Sequence, residues 1–267
     1  MTAVPPDQPP FAPPTNPASF PPPNPADRVA PAPRWGMPDI VLGAIAILVG
    51  STVALVATAA VLGLSLDETS ASAAALAVAG LGQQGVQFGW PVLVARWKGY
   101  GIANDFRFRF ALKDLLLGPA LGLGVAIGAG VVGLAVAEVL GVTESDDTSN
   151  TAFLSEHRDS PWFYAIVFMV IVGAPLSEEL FFRGLAMSAI EKRFGSLIGL
   201  LGSSVLFVLP HYTNVAWRET LVIFSVIGVV ALCLGAVTQR VNRLGPAIIA
   251  HMTFNSIGVL ASLATGV

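Results

Sequence analysis

The chain has 267 residues and a net charge of −3, with 54% apolar against only 12% charged residues and a mean hydropathy of +0.72. An average soluble domain carries about 25% charged residues, so this balance excludes an ordinary soluble enzyme. With no basic cluster on a soluble face, it excludes a nucleic-acid binder as well. Several uncharged runs exceed the ~18 residues that mark a membrane helix. The expected fold is therefore an all-α, polytopic transmembrane helix bundle in the cell membrane, with the lipid bilayer as its first partner. The single cysteine, Cys233, permits no intrachain disulfide.

Residues 1–38 hold 14 of the 20 prolines. Such a segment buries too little apolar surface to offset its ordering entropy, so it reads as a disordered cytoplasmic tail with polyproline II character. A partner that binds Pro-rich segments is the alternative to a plain solvated tail. It lacks the basic and apolar regions of a signal peptide. Seven candidate spans follow, at about 39–64, 70–94, 115–142, 162–190, 197–212, 220–237 and 246–264. The second is less apolar, with Gln83, Gln84 and Gln87, and is expected to face other helices. The third is rich in glycine from Gly118 to Gly133, which permits close helix approach. Nothing repeats between the two halves.

Lys and Arg near short loops are retained in the cytoplasm. Eleven of the 14 basic residues fall before the first span or in the loops after spans two, four and six. The opposite side has only Arg158 and Arg218. The expected orientation is N-terminus cytoplasmic and C-terminus extracytoplasmic, with residues 39–110 forming two helices and a basic cytoplasmic loop.

The chemistry gathers on Pro175-Leu176-Ser177-Glu178-Glu179-Leu180-Phe181-Phe182-Arg183-Gly184. Ionisable residues inside a span are costly and generally face a cavity or a partner. Glu179 and Arg183 are four apart and form a candidate ion pair. Glu178 lies about 100° away around the helix and is left for other work. Of three histidines, His157 reads as solvated beside Arg158 and Asp159. His211 ends Phe207-Val208-Leu209-Pro210-His211, and His251 shares a helix face with Asn255.

A lone membrane histidine is most simply an interhelical hydrogen bond, worth only about 0.6 kcal/mol. Two histidines, an Asn and a Glu pair on three spans point instead to function. A carboxylate and an imidazole beside a trapped water make a general acid–base pair, because burial moves both pKa values toward neutrality. A second His with an Asn can supply donors to an oxyanion. The same Glu178, His211 and His251 could instead hold a divalent metal such as zinc. No His-Glu-x-x-His segment is present.

Glu178-Glu179-x-x-x-Arg183, Phe207-x-x-x-His211 and His251-x-x-x-Asn255 resemble the three motifs of the CPBP intramembrane proteases. That family includes the type II CAAX prenyl endopeptidases and bacteriocin-processing or self-immunity proteins. The resemblance covers roughly residues 110–264 and implies a protease core over 111–267 acting on a membrane-bound peptide or protein. It implies that Glu178, aided by His211, activates water, and that His251 and Asn255 stabilise the oxyanion. Glu179, Arg183 and Phe207 would support the site. The family has been described as both metal-dependent and glutamate-type; the preferred reading is metal-free, since Asn255 suits a donor role better than zinc. A catalytically silent immunity factor of this fold and a proton-coupled transporter are the alternatives.

At ~1.5 Å per residue from the inner loops, Glu178 is expected ~18 Å deep, His211 ~20 Å and His251 only ~10 Å. His251 then meets the others only if its span tilts or begins nearer Arg240. Pro175, Pro210 and Pro246 each stand close to a motif as candidate kinks.

Overall fold

A computed structural model describes residues 32–65, 72–143, 153–213 and 215–265. Most of the expected Pro-rich tail, the expected span start at Ser70, part of the acidic loop after Thr143 and the chain end at Val267 lie outside them. The chain divides at Ala32, and the second unit, Pro33–Val267, is compact. The second holds α1 (Met37–Leu62), α2 (Ala73–Lys98), the single turn α3 (Ile102–Asp105), α4 (Asp114–Leu140) and the single turn α5 (Phe153–Glu156). It continues with α6 (Phe163–Phe194), α7 (Ser196–Val208), α8 (Trp217–Val241) and α9 (Gly245–Thr265). There is no strand among the described residues.

A helix stands at each of the seven expected spans. Among the described residues five are long and apolar enough to cross a membrane: α1, α4, α6, α8 and α9. The glutamines of α2 lower its hydropathy, and α7 is short even with its closing 3₁₀ turn at Leu209–His211. The protein is a multi-pass helical membrane protein. α1 packs on α2, and α4 packs on both α8 and α9, while α6 touches α2, α7 and α9 from the middle. That central place follows from composition, since α6 carries the charged motif that lipid would penalise and its neighbours cover it.

The composition of residues 33–36 placed them in the tail, yet they are packed. Trp35 is buried against Phe106, with ring centroids 5.1 Å apart, and the Arg34 N–H donates to Lys98 O at 2.7 Å. Asp39 then closes the first turn of α1 by accepting from Gly36 N, and pairs with Lys98 Nζ at 2.6 Å.

The glycines of α4 divide. A Cβ on Gly122 would lie 2.5 Å from the Ala250 carbonyl oxygen, and Gly118 and Gly133 are also pressed against α9 or α8. Gly124, Gly128 and Gly130 have nothing within 4 Å of a Cβ, so packing does not account for them. Gly122→Ala is expected to force α4 from α9 and cost about 1–3 kcal/mol. Gly128→Ala should be neutral or stabilise by up to about 1 kcal/mol through helix propensity. Thermal melting of both variants in detergent measures the contrast.

One end of the bundle is tied together by the basic loops. Arg243 makes a fork of hydrogen bonds to Asp114, the shortest 2.6 Å, and Arg107 pairs with Glu191 at 2.6 Å. The bonds from Asp114 hold the Arg243 guanidinium above its ordinary pKa, so this tie stays ionic at any working pH.

The same end resolves the depth conflict. Leu244 N donates to Arg107 O and Gly245 N to Arg109 O, whereas Glu191 of α6 meets Arg107 only through the length of its side chain. These bonds seat the first turn of α9 on the 107–109 loop, and His251 stands level with Glu178, its Nε2 3.8 Å from Glu178 Oε2. Of the three prolines, Pro246 sits in the first turn of α9, where its missing N–H has no cost. Pro210 lies in the 3₁₀ turn that closes α7, and Pro175 follows a wide π turn in α6.

Candidate active site

The site is built around two stretches of π-helix in α6, Met169–Gly173 and Glu179–Ala186, which flank Ala174–Glu178. Such wide turns are rare and concentrate at functional sites. In the first, the Ala174 N–H bonds back to Met169 O. Val170 O would next need the N–H of residue 175, which is proline and has none. Asn255 supplies the missing donor, its Nδ2 reaching Val170 O at 2.8 Å. Ser177 Oγ donates to Gly173 O at 2.9 Å and covers another carbonyl of the turn.

The second π stretch buries the charged motif completely. Glu179 and Arg183 have no exposed surface, and Arg183 Nη1 meets Glu179 Oε1 at 3.0 Å, as the spacing predicts. Arg183 also donates to Ala231 O and lies over the Phe207 ring, 4.0 Å from its centroid. His251 Nδ1 is 2.9 Å from the same Glu179 oxygen, while its Nε2 stands 3.8 Å from Glu178 Oε2.

A carboxylate paired with arginine only accepts, so Nδ1 of His251 carries a proton, and Nε2 faces Glu178. His211 is fixed in the same sense, its Nδ1 donating to Phe207 O at 2.8 Å. The Phe207 ring separates the two imidazoles, with centroids 5.0 Å from His211 and 5.9 Å from His251.

Glu178, His211, His251 and Asn255 line one cavity of about 230 Å³. Glu178 and His211 also border a second, mostly apolar cavity of about 460 Å³ between α1, α2, α6 and α7. They stand where the two spaces meet. Glu178 has no direct hydrogen bond among the described residues, and its 3.8 Å gap to His251 suits a bridging water.

Gln84 of α2 is a residue that sequence reasoning placed only at a helix contact. It lines the smaller cavity and donates to Met169 O at 3.1 Å, so the π turn is held from both sides by amides, Gln84 and Asn255. Its signal in the sequence was an amide on a span face that nothing else there required.

Among the described residues no group of three or more His, Cys, Asp or Glu is arranged to hold a metal ion. The Nδ1 of each histidine is spent on a neighbour, and the arrangement can relay a proton between Glu178 and an imidazole.

Fold and site together define a helical membrane protein with two carboxylates, two histidines and an asparagine gathered between three helices. Residues 160–257 match the family described as Type II CAAX prenyl endopeptidase Rce1-like, a stretch that runs from just before α6 into α9 and takes in all three motifs. The match makes this stretch similar to the CPBP/CAAX proteases. No curated protein and no solved structure matches the chain.

Proposed function

We propose that the chain is an intramembrane endopeptidase that hydrolyses a peptide bond of a membrane-associated protein or peptide. The carrying observation is the convergence of Glu178, His211, His251 and Asn255, from three helices, on one small cavity. In this mechanism Glu178, with His211 across the cavity, takes a proton from the trapped water, and the hydroxide adds to the scissile carbonyl carbon. The second N–H of Asn255 and a protonated His251 Nε2 face the oxyanion. Because Nδ1 of His251 is held by Glu179, His251 enters this step as the imidazolium and keeps both protons, with the Glu179 carboxylate at 2.9 Å as its counter-charge. Collapse of the intermediate returns the proton from Glu178 to the leaving amine.

The apolar cavity that Glu178 and His211 share with α1 and α7 supports entry of a substrate from the hydrocarbon side. The family description supports a prenylated CAAX protein as the class to try first.

Membranes from cells with wild-type and Glu178→Ala protein are expected to differ in peptides cut only by the former, by quantitative proteomics of peptide termini. Purified wild type freed of metal should keep its activity in a strong chelator. Loss of turnover restored only by zinc would overturn the metal-free mechanism.

We also assign the basic end to the cytoplasm. Lys98, Arg107, Lys192 and Arg243 lie at that end, whereas Arg158, at the other, donates to Leu263 O. A reporter after Val267 should then behave as extracytoplasmic and one inserted between Arg96 and Lys113 as cytoplasmic. A cytoplasmic reading after Val267 would sink the assignment.

A further inference from the structure

We infer that the basic end carries a pocket for the phosphate headgroup of an anionic lipid, separate from the acid–base site. A cavity of about 580 Å³ opens between the entry to α1, the α3 turn, the last turns of α6 and the α8–α9 turn. Three of its lining residues hold buried polar atoms with no hydrogen-bond partner among the described residues: Trp35 Nε1, Arg107 Nη1 and Ser188 Oγ. Indole and guanidinium nitrogens can only donate, and a hydroxyl donates readily. A buried donor without an acceptor bears its full desolvation penalty. Three around one cavity form a deficit that one oxyanion removes.

These residues are held in place by their other contacts. Arg107 Nη2 is committed to Glu191, and the Trp35 ring lies against Phe106 with Lys192 Nζ 4.8 Å from its centroid. Arg107 itself adopts φ 58°, a left-handed conformation uncommon outside glycine. Strain of that kind persists where the surroundings enforce it and collects at ligand sites. Two carboxylates also border the cavity, and both are engaged. Asp105 accepts from Tyr100 N, and Glu191 accepts from Arg107 and Gln239. Against them stand Arg107, Arg109 and Lys192, so the pocket has a positive balance.

The setting selects a lipid as the source of the anion. Exposed Trp97 and Tyr100 lie at this end, the residue types that sit at headgroup level, with exposed Phe110 and Phe194 at the same end. Just past Trp35, the exposed Val41, Leu42 and Ile45 of α1 offer an apolar surface along which acyl chains can lie. A phosphate with its glycerol oxygens brings acceptors for all three donors. The basic loops supply the long-range attraction to an anionic leaflet.

The test uses the full chain in phosphatidylcholine nanodiscs, with and without phosphatidylglycerol. Thermal melting and the apparent affinity for phosphatidylglycerol are the readouts. The wild type should be stabilised by phosphatidylglycerol. Trp35→Phe with Ser188→Ala removes two unpartnered donors and breaks no hydrogen bond or ion pair. The smaller ring gives up packing on Phe106 and Lys192, so melting in pure phosphatidylcholine sets each protein's baseline, and from that baseline the variant should bind phosphatidylglycerol about tenfold or more weakly. If it accumulates poorly, Arg107→Lys, which keeps the charge toward Glu191 but not the second guanidinium nitrogen, should lose the same response. An undiminished phosphatidylglycerol shift in these variants would overturn the pocket. An equal shift from inorganic phosphate, or from a peptide with a free C-terminal carboxylate, would overturn the lipid as its occupant.

Discussion

Glu178→Gln is expected to abolish peptide-bond hydrolysis while leaving the protein at normal abundance and melting temperature. The structure separates the two readouts. Glu178 makes no direct hydrogen bond among the described residues, its side chain keeps 19% of its surface exposed, and His251 Nε2 stands 3.8 Å from its Oε2. Gln fills the same volume and cannot take a proton from water. A positioned general base contributes typically 10²–10⁴-fold to rate, about 3–5 kcal/mol of transition-state stabilisation. The loss should fall on kcat, because the amide still occupies the position that a substrate meets. A variant that cut normally would end the assignment of Glu178 as the base. One that lost both activity and fold would move Glu178 into the supporting structure. Single-turnover cleavage of a candidate substrate by protein matched for melting temperature distinguishes these results.

Much of this architecture is legible in the sequence because a membrane imposes long, uncharged helices and penalises each exception. Glu178, Glu179 and Arg183 stand out for that reason, and i, i+4 spacing was enough to pair Glu179 with Arg183. The same spacing set His251 and Asn255 on one face, and both do line the cavity. Counting residues failed at His251, since it assumes that every helix starts at one level. The carbonyls of Arg107 and Arg109 hold the start of α9, and His251 Nε2 stands 3.8 Å from Glu178 Oε2.

The π turns were illegible for a related reason. Apolar periodicity reports which face is greasy, while a widened turn is set by which carbonyl finds which donor. Asn255 reads in the sequence as a free donor, yet one of its N–H groups is committed to Val170 O because Pro175 cannot serve it. Trp35 was lost among prolines although one large aromatic in such a segment is a signal of docking. Its ring is what ties residues 33–36 to the α3 turn.

The second large effect belongs to Glu179. Glu179→Gln should cost about 3–5 kcal/mol of stability, the range for removing one partner of a buried ion pair. Oε1 is the atom that accepts from both Arg183 and His251, and Oε2 has no partner among the described residues. Gln can keep its oxygen in the Oε1 position, so both hydrogen bonds can survive and the charge alone is lost. What remains is a guanidinium with no exposed surface, stacked on Phe207 and bonded to Ala231 O, without a counter-ion.

Arg183→Met alone should cost a similar amount by stranding the carboxylate beside His251. The Glu179→Gln/Arg183→Met double variant should cost clearly less than the two single losses together, because a polar but uncharged pair has no ionic desolvation to offset. Melting of the four proteins in one detergent closes the cycle. Additive losses would mean that the pair acts through packing on Phe207 and Ala231 rather than through charge. Activity adds an independent readout. In the double variant the amide oxygen that replaces the Glu179 carboxylate still accepts from His251 Nδ1 and holds its tautomer, but no longer stabilises the imidazolium. Cleavage should therefore fall even where stability returns.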